Sequence, residues 1–133
     1  MKNVNEVSKL TGVSRRTLQY YDDEDVVKAE RSNNNYRLYD DKSLAQLWEV
    51  LIYKKMGFEL KEIRKLIVVS KSEKNKFLEL QMQNIKENIG MLSQQMKFIA
   101  LVLEKGMPEM PEEETGSTFV NEIVKLWEQG EHE

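Results

Sequence analysis

With 133 residues, 40% of them hydrophobic and 32% charged, the chain is long enough for one ordinary domain or a small domain with an appendage. It has no Cys and a single His, His132, beside its C-terminus, which excludes disulfides, thiolate metal sites and a Cys/His nucleophilic pair; no enzyme activity, metal or cofactor is expected. The net charge of −3 hides an asymmetry: residues 1–76 hold 16 Lys and Arg against 12 Asp and Glu, and residues 77–133 hold 4 against 11, a basic region with an acidic remainder.

The first predicted element lies in residues 3–10, where Val4, Val7 and Leu10 stand at helical spacing. Thr11-Gly12-Val13 interrupts it, and Ser14 N-caps a second helix running to about Asp23. Two short helices around a tight glycine-containing turn form a helix-turn-helix pattern, although a plain helical hairpin in a small bundle carries the same signature. Residues 26–39 change character. Val26-Val27 and Tyr36-Arg37-Leu38-Tyr39 favour strands, and Ser32-Asn33-Asn34-Asn35 between them suits a tight turn. A short hairpin, or wing, is expected there, with Lys28, Arg31 and Arg37 beside Tyr36 and Tyr39.

Asp40 or Asp41 caps a longer helix to about Met56, with Leu44, Leu47, Trp48, Leu51 and Ile52 inward and Gly57 as its stop. A further helix over residues 60–69 carries Leu60, Ile63, Leu66 and Ile67. This order of elements in the first 70 residues is a winged-helix plan. The sharpest period follows: Leu78, Met82, Ile85, Ile89, Leu92, Met96, Ile99 and Leu103 alternate steps of four and three. That is the seam of a coiled coil rather than the wider stripe of a helix laid on a globular core, so these eight residues are the expected dimerisation surface. The flanking positions are poor in charge and do not reveal strand orientation.

Gly106 ends the seam helix, and residues 107–116, acidic and holding both prolines, read as a linker. Residues 118–129 form a last amphipathic segment too short for its own core. Its Phe119, Ile123 and Trp127 are expected against the coiled-coil end near Phe98 and Val102. There they either cap the dimer or, with Glu122 and Glu128 nearby, wall a shallow pocket for an apolar or cationic small molecule. Trp48 is expected buried and silent. No apolar run approaches the roughly 18 residues of a membrane span, and no leader pattern opens the chain, so a cytoplasmic protein without a membrane partner is expected.

Ser14 is followed at once by Arg15 and Arg16, although a cation at a helix N-terminus costs roughly 0.3–1 kcal/mol. On that helix Leu18 and Tyr21 share one face, and Arg16, Thr17 and Tyr20 share the opposite one. A guanidinium, a hydroxyl and a phenol facing outward are the groups that contact phosphates and base edges in a major groove. Solvated surface arginines are the plain alternative.

Three stretches carry a resemblance to the MerR-type bacterial transcriptional regulators. The first holds Val4, Glu6, Val7, Ser8, Leu10-Thr11-Gly12-Val13-Ser14, Arg16-Thr17-Leu18 and Tyr20-Tyr21-Asp22; the second is Tyr36-Arg37-x-Tyr39; the third is Met56-Gly57-Phe58-x-Leu60-x-Glu62-Ile63. The resemblance covers residues 1–70 and implies a mainly helical fold: a winged helix-turn-helix DNA-binding domain (1–70), a dimerisation helix forming an antiparallel coiled coil (71–106), and an acidic linker with a short tail helix (107–133). It implies a homodimer that binds double-stranded promoter DNA, bends and untwists a promoter with an overlong spacer, and so acts on RNA polymerase indirectly. The DNA-contacting positions it implies are Arg16 and Tyr20 on the recognition helix and Tyr36, Arg37 and Tyr39 in the wing; Ser14, Arg15 and Thr17 on the same helix are further candidate DNA contacts. The competing reading is a coiled-coil architectural or protein-interaction module that does not distort a promoter. The chain departs from the family pattern at Asp25 and Asn35, where Gly is usual, at Ala29 for Pro, at Gln19 for a basic residue, and at Glu59 for a Ser/Thr cap. Asp and Asn are the best non-glycine residues at positive φ, so both turns are expected to survive.

Overall fold

A computed structural model of the chain describes residues 1–131; His132 lies outside them. The elements in order are β1 (Lys2–Asn3), α1 (Val4–Thr11), α2 (Arg15–Asp23), β2 (Glu30–Arg31), β3 (Arg37–Tyr39), α3 (Asp41–Lys55), α4 (Leu60–Leu66), α5 (Lys71–Lys105), a short 3-10 turn (Glu113–Thr115) and α6 (Phe119–Glu131). Two compact units result, Met1–Leu78 and Glu79–Glu133, with α5 running through the boundary.

Local chemistry explains most element ends in the first unit. The Asn3 side chain accepts the Glu6 N–H at 2.9 Å, and the Glu6 carboxylate accepts the Asn3 N–H at 3.1 Å, a reciprocal box that starts α1. Gly12 at φ 78° ends it. Ser14 Oγ accepts the Thr17 N–H at 3.1 Å and starts α2, and Asp40 caps α3 through the Ser43 N–H at 2.7 Å. Among the described residues two non-glycines have positive φ, Asp25 (60°) and Asn35 (64°), the positions where the resemblance makes Gly usual. Both turns therefore form with these substitutions.

Three expectations need correcting. Val26 and Val27 form no strand; their N–H groups donate to the Tyr21 carbonyl at 2.9 and 3.2 Å in a turn, and both side chains are fully buried. Core burial overrode their strand preference. The sheet has a third strand, β1, so its order is β1-β3-β2, all antiparallel. Trp48 is not inward: it is 69% exposed. The buried face of α3 is Ser43, Leu47, Val50 and Tyr53, and at 3.6 residues per turn Trp48 points about 160° away from Val50. Leu44 and Leu51 flank the buried face, whereas Ile52 is exposed.

The core of this unit is one cluster in which Val7, Leu18 and Tyr21 of the two N-terminal helices meet Val26, Val27, Tyr39, Leu47, Val50, Phe58, Ile63 and Leu66. Leu78 packs on the edge of that cluster. The start of α5 is tied down by charge as well: Lys74 Nζ lies 2.5 Å from Glu49 Oε1, which also accepts the Tyr53 hydroxyl at 2.7 Å. Burial and the Glu49 carboxylate beside it push the Tyr53 phenol up to about 12. In the second unit α6 lies back on α5. The Phe98 and Trp127 rings are 5.4 Å apart, Leu101 is buried, and Gly130 sits close over the Phe98 backbone.

Candidate nucleic-acid interface

The two arginines after Ser14 have different tasks. Arg15 Nη1 donates to Asn5 Oδ1 at 3.1 Å, so its guanidinium is tethered to α1. Arg16 is exposed and makes no bond or ion pair among the described residues. One turn along, Tyr20 is also exposed, its ring 6.5 Å from that of Tyr21. Arg16 and Tyr20 thus share one outward face of α2, while Leu18 and Tyr21 on the other face belong to the core. Ser14 and Thr17 are occupied with the cap: Ser14 Oγ donates to Thr17 Oγ1 at 2.9 Å.

The wing divides in the same way. Its turn closes through Asn35 N–H to the Ser32 carbonyl (2.8 Å) and Ser32 N–H to the Tyr36 carbonyl (2.9 Å), which leaves the Tyr36 side chain exposed. Tyr39 is placed differently from the expectation. It lies fully buried in the core cluster that also holds Leu18 and Leu47, its phenol pushed up by burial and by nearby Asp22, and cannot present itself to a phosphate. Strand alternation accounts for this, since the residue next to the α3 cap on β3 faces α1 and α3. Arg37 is also drawn inward. Its Nε donates to Asp22 Oδ2 at 2.9 Å and its Nη2 to Asp23 Oδ1 at 3.3 Å. Lys28 pairs with Asp25 at 2.7 Å, and that bond holds the Asp25 carboxyl below its usual range.

The surface therefore offers Arg16 and Tyr20 from α2 and Tyr36 from the wing. Sequence reasoning missed Asp22 as an organiser, although it stood inside the Tyr-Tyr-Asp motif, because a single acidic residue at a helix end reads as solvated. Among the described residues no group of three His, Cys, Asp or Glu side chains is placed to hold a metal, and no helix is long and apolar enough to cross a membrane.

Residues 3–68 match the family model described as MerR HTH family regulatory protein. The chain is 31% identical over 115 residues to the HTH-type transcriptional activator TipA of Streptomyces coelicolor, covering 84% of this chain and 46% of TipA. The chain belongs to the MerR family. Its similarity to other MerR proteins extends to the multidrug-efflux transporter 1 regulator of Bacillus subtilis, 32% identical over 120 residues, 89% of this chain and 43% of that one. The crystal structure of MtaN, the N-terminus of the Bacillus subtilis multidrug transporter activator, matches with a TM-score of 0.73 at 27% identity, over 77% of this chain and 98% of MtaN. The chain spans less than half the length of the curated relatives it matches. Relatives and fold are those of DNA-binding transcription regulators and not of enzymes.

Two further features lie in the second unit. Met82, Ile85, Ile89, Leu92, Met96, Ile99 and Leu103 all face solvent along α5. Beside the end of this seam is a groove of about 980 Å³, lined by Phe98, Ile99, Val102, Leu103, Met107, Met110, Phe119, Ile123 and Leu126, with Glu109 and Glu122 at its wall. Phe119 and Ile123 stand where the sequence placed them. Trp127 does not line the groove; it stacks on Phe98, and Leu126 takes the expected position.

Proposed function

We propose that the chain is a homodimeric regulator that binds and distorts promoter DNA. The observation that carries the dimer is the solvent-facing seam of seven large apolar residues from Met82 to Leu103, a stripe that a helix of a monomer would not keep. The seam spacing is palindromic. Laid antiparallel about a point between Gly90 and Met91, Met82 meets Ile99, Ile85 meets Met96 and Ile89 meets Leu92, while Leu103 falls opposite Leu78, whose side chain is half-buried against the core of the first unit. Charge favours that orientation: the start of α5 carries Lys71, Lys74 and Lys76 against Glu73, and its last turn with the chain beyond carries Glu104, Glu109, Glu112, Glu113 and Glu114 against Lys105. An antiparallel pair sets these opposite each other, whereas a parallel pair gathers like charges.

Each subunit then offers one recognition helix, α2, and one wing. Two copies held by a stiff rod address two half-sites with fixed separation. A rigid reader facing a spacer of the wrong length must deform the DNA, and sequence-dependent deformability adds to recognition at base pairs that no side chain touches. RNA polymerase responds to the changed promoter geometry rather than to a contact with the protein. The central base pairs of the bound promoter should become hyperreactive to a chemical probe of unstacked DNA, within a footprint over both half-sites. Uniform central reactivity inside an intact footprint would instead mark a bound architectural dimer.

The groove between α5 and α6 is the effector site in this reading, and its apolar lining with Glu109 and Glu122 suits a hydrophobic cation. Ile99 and Leu103 belong to both groove and seam, so a ligand there bears directly on the dimer. Trp127 reports on it through Phe98. Because Trp48 is exposed and emits, the measurement needs a Trp48→Phe background. Titrating a hydrophobic cation such as tetraphenylphosphonium should then shift Trp127 emission, and Phe98→Ala should weaken the response. No shift at saturating cation would remove the effector reading.

A further inference from the structure

Asp22, in the last turn of α2, has a side chain only 6% exposed, yet three donors converge on it. Oδ1 accepts the Ala29 N–H at 3.1 Å, and Oδ2 accepts Arg37 Nε at 2.9 Å and Arg31 Nη2 at 3.5 Å. The two arginines are register partners, Arg31 on β2 directly opposite Arg37 on β3. Like charges opposed across an antiparallel ladder repel, and this wing has only these two short strands. The buried carboxylate beneath the pair cancels that repulsion. It therefore joins three things at one atom group: the end of α2, the segment entering β2, and both wing strands.

The two guanidinium groups are not equally committed. Arg37 is 18% exposed and bridges two carboxylates, since its Nη2 also reaches Asp23. A phosphate approaching it would meet the exposed Asp23 carboxylate and would have to strip the buried Asp22 of its shortest ion pair. Arg31 is 42% exposed. Its two contacts, to Asp22 at 3.5 Å and to the Asn35 carbonyl at 3.4 Å, are longer than ordinary hydrogen bonds. They orient the group without using up its five donors.

We propose that Asp22 is a positioning residue of the DNA-reading surface: it holds the wing against the recognition helix and withholds Arg37 from DNA, leaving Arg31 as the wing arginine that meets a phosphodiester. The proposal rests on the DNA-binding reading above. It assigns the wing contact to β2 rather than to the Tyr-Arg motif on β3. It also means that the phosphate contact and the groove contacts of Arg16 and Tyr20 move as one body, because one carboxylate links their elements.

The test is the salt dependence of full-length protein binding to a mixed-sequence DNA duplex, which needs no operator. Each lost phosphate contact flattens the slope of log affinity against log salt by about 0.9. Arg31→Ala should flatten it by about that amount per bound subunit, with an unchanged melting temperature. Arg37→Ala should keep the wild-type slope and lower the melting temperature. Asp22→Asn keeps the acceptor for Ala29 but frees Arg37, so it should steepen the slope by about 0.9 while weakening the fold, and adding Arg37→Ala should return the slope to the wild-type value. A purely structural Asp22 would move affinity and melting without steepening the slope, and that result overturns the proposal. So does a flatter slope in Arg37→Ala or an unchanged one in Arg31→Ala, and these two variants decide the matter if Asp22→Asn does not fold. Absence of any salt-dependent binding by the wild type would instead remove the DNA-binding reading itself.

Discussion

Ile89→Asp should turn a stable dimer into a monomer and lower affinity for a two-half-site promoter by about 10²–10⁴-fold, the value of a second linked contact. In the proposed antiparallel register Ile89 stands next to the centre of the seam and faces Leu92 of a second copy, so each dimer would bury two carboxylates near its axis. A buried charge costs several kcal/mol, far more than the roughly 0.2–0.5 kcal/mol that Lys86, three residues back on the same helix, returns as an i,i+3 pair. The same substitution should leave the subunit folded, because Ile89 is exposed on α5 within a single chain and contributes nothing to either core. Helix content by circular dichroism is therefore expected to hold while sedimentation reports half the wild-type mass. A variant that still sediments as a dimer at micromolar concentration would show that the seam is not the interface.

What could be read without coordinates follows a physical rule. Cap and turn chemistry is local, so Ser14, Asp40 and Gly12 mark their helix ends from a few neighbouring residues, and Asp25 and Asn35 keep the left-handed turns because their short side chains tolerate that conformation. The exposed apolar stripe of α5 is legible because its period repeats over about four heptads, far more than chance spacing provides. The failures are all tertiary. A two-residue strand such as β1 has no period to detect. Val26 and Val27 carry a strand preference that a buried turn overrides. On α3 the apolar residues spread over more than half the circumference, and only packing decides that Val50 and Tyr53 go inside and Trp48 outside. The same holds for the site. Arg16 and Tyr20 follow from helix periodicity alone, whereas the commitment of Arg37 to Asp22 needs the register of β2 on β3, which places residues fifteen apart in sequence within 2.9 Å. The groove residues Phe119 and Ile123 came from the amphipathic pattern of α6, but which of Leu126 and Trp127 faces the groove depends on a rotation of one position that the pattern does not resolve.

Arg16→Ala should weaken DNA binding and at the same time leave the protein at least as stable as the wild type. The guanidinium sits in the first turn of α2, where the helix dipole and the unpaired N–H groups already favour an anion, and it has no carboxylate or carbonyl partner among the described residues. Removing it relieves roughly 0.3–1 kcal/mol of unfavourable charge at the helix end and puts in the best helix former. Nothing on the folded side is lost in exchange. Arg15 is the natural contrast: its bond to Asn5 ties α2 to α1, so Arg15→Ala should lower the melting temperature instead. The form of the affinity loss identifies what Arg16 touches. A phosphate contact gives a uniform loss across all sequences and a salt slope flatter by about 0.9 per subunit. A guanine contact gives a loss of roughly 1–3 kcal/mol confined to one position of each half-site, with every other substitution penalised as in the wild type. Binding titrations against single-base variants at two salt concentrations separate these cases, and thermal melts of the same samples test the stability half of the claim. Unchanged binding at both salts would remove Arg16 from the interface. A lower melting temperature would mean that the side chain contributes to the fold in a way that its exposed, unpaired position on α2 does not explain.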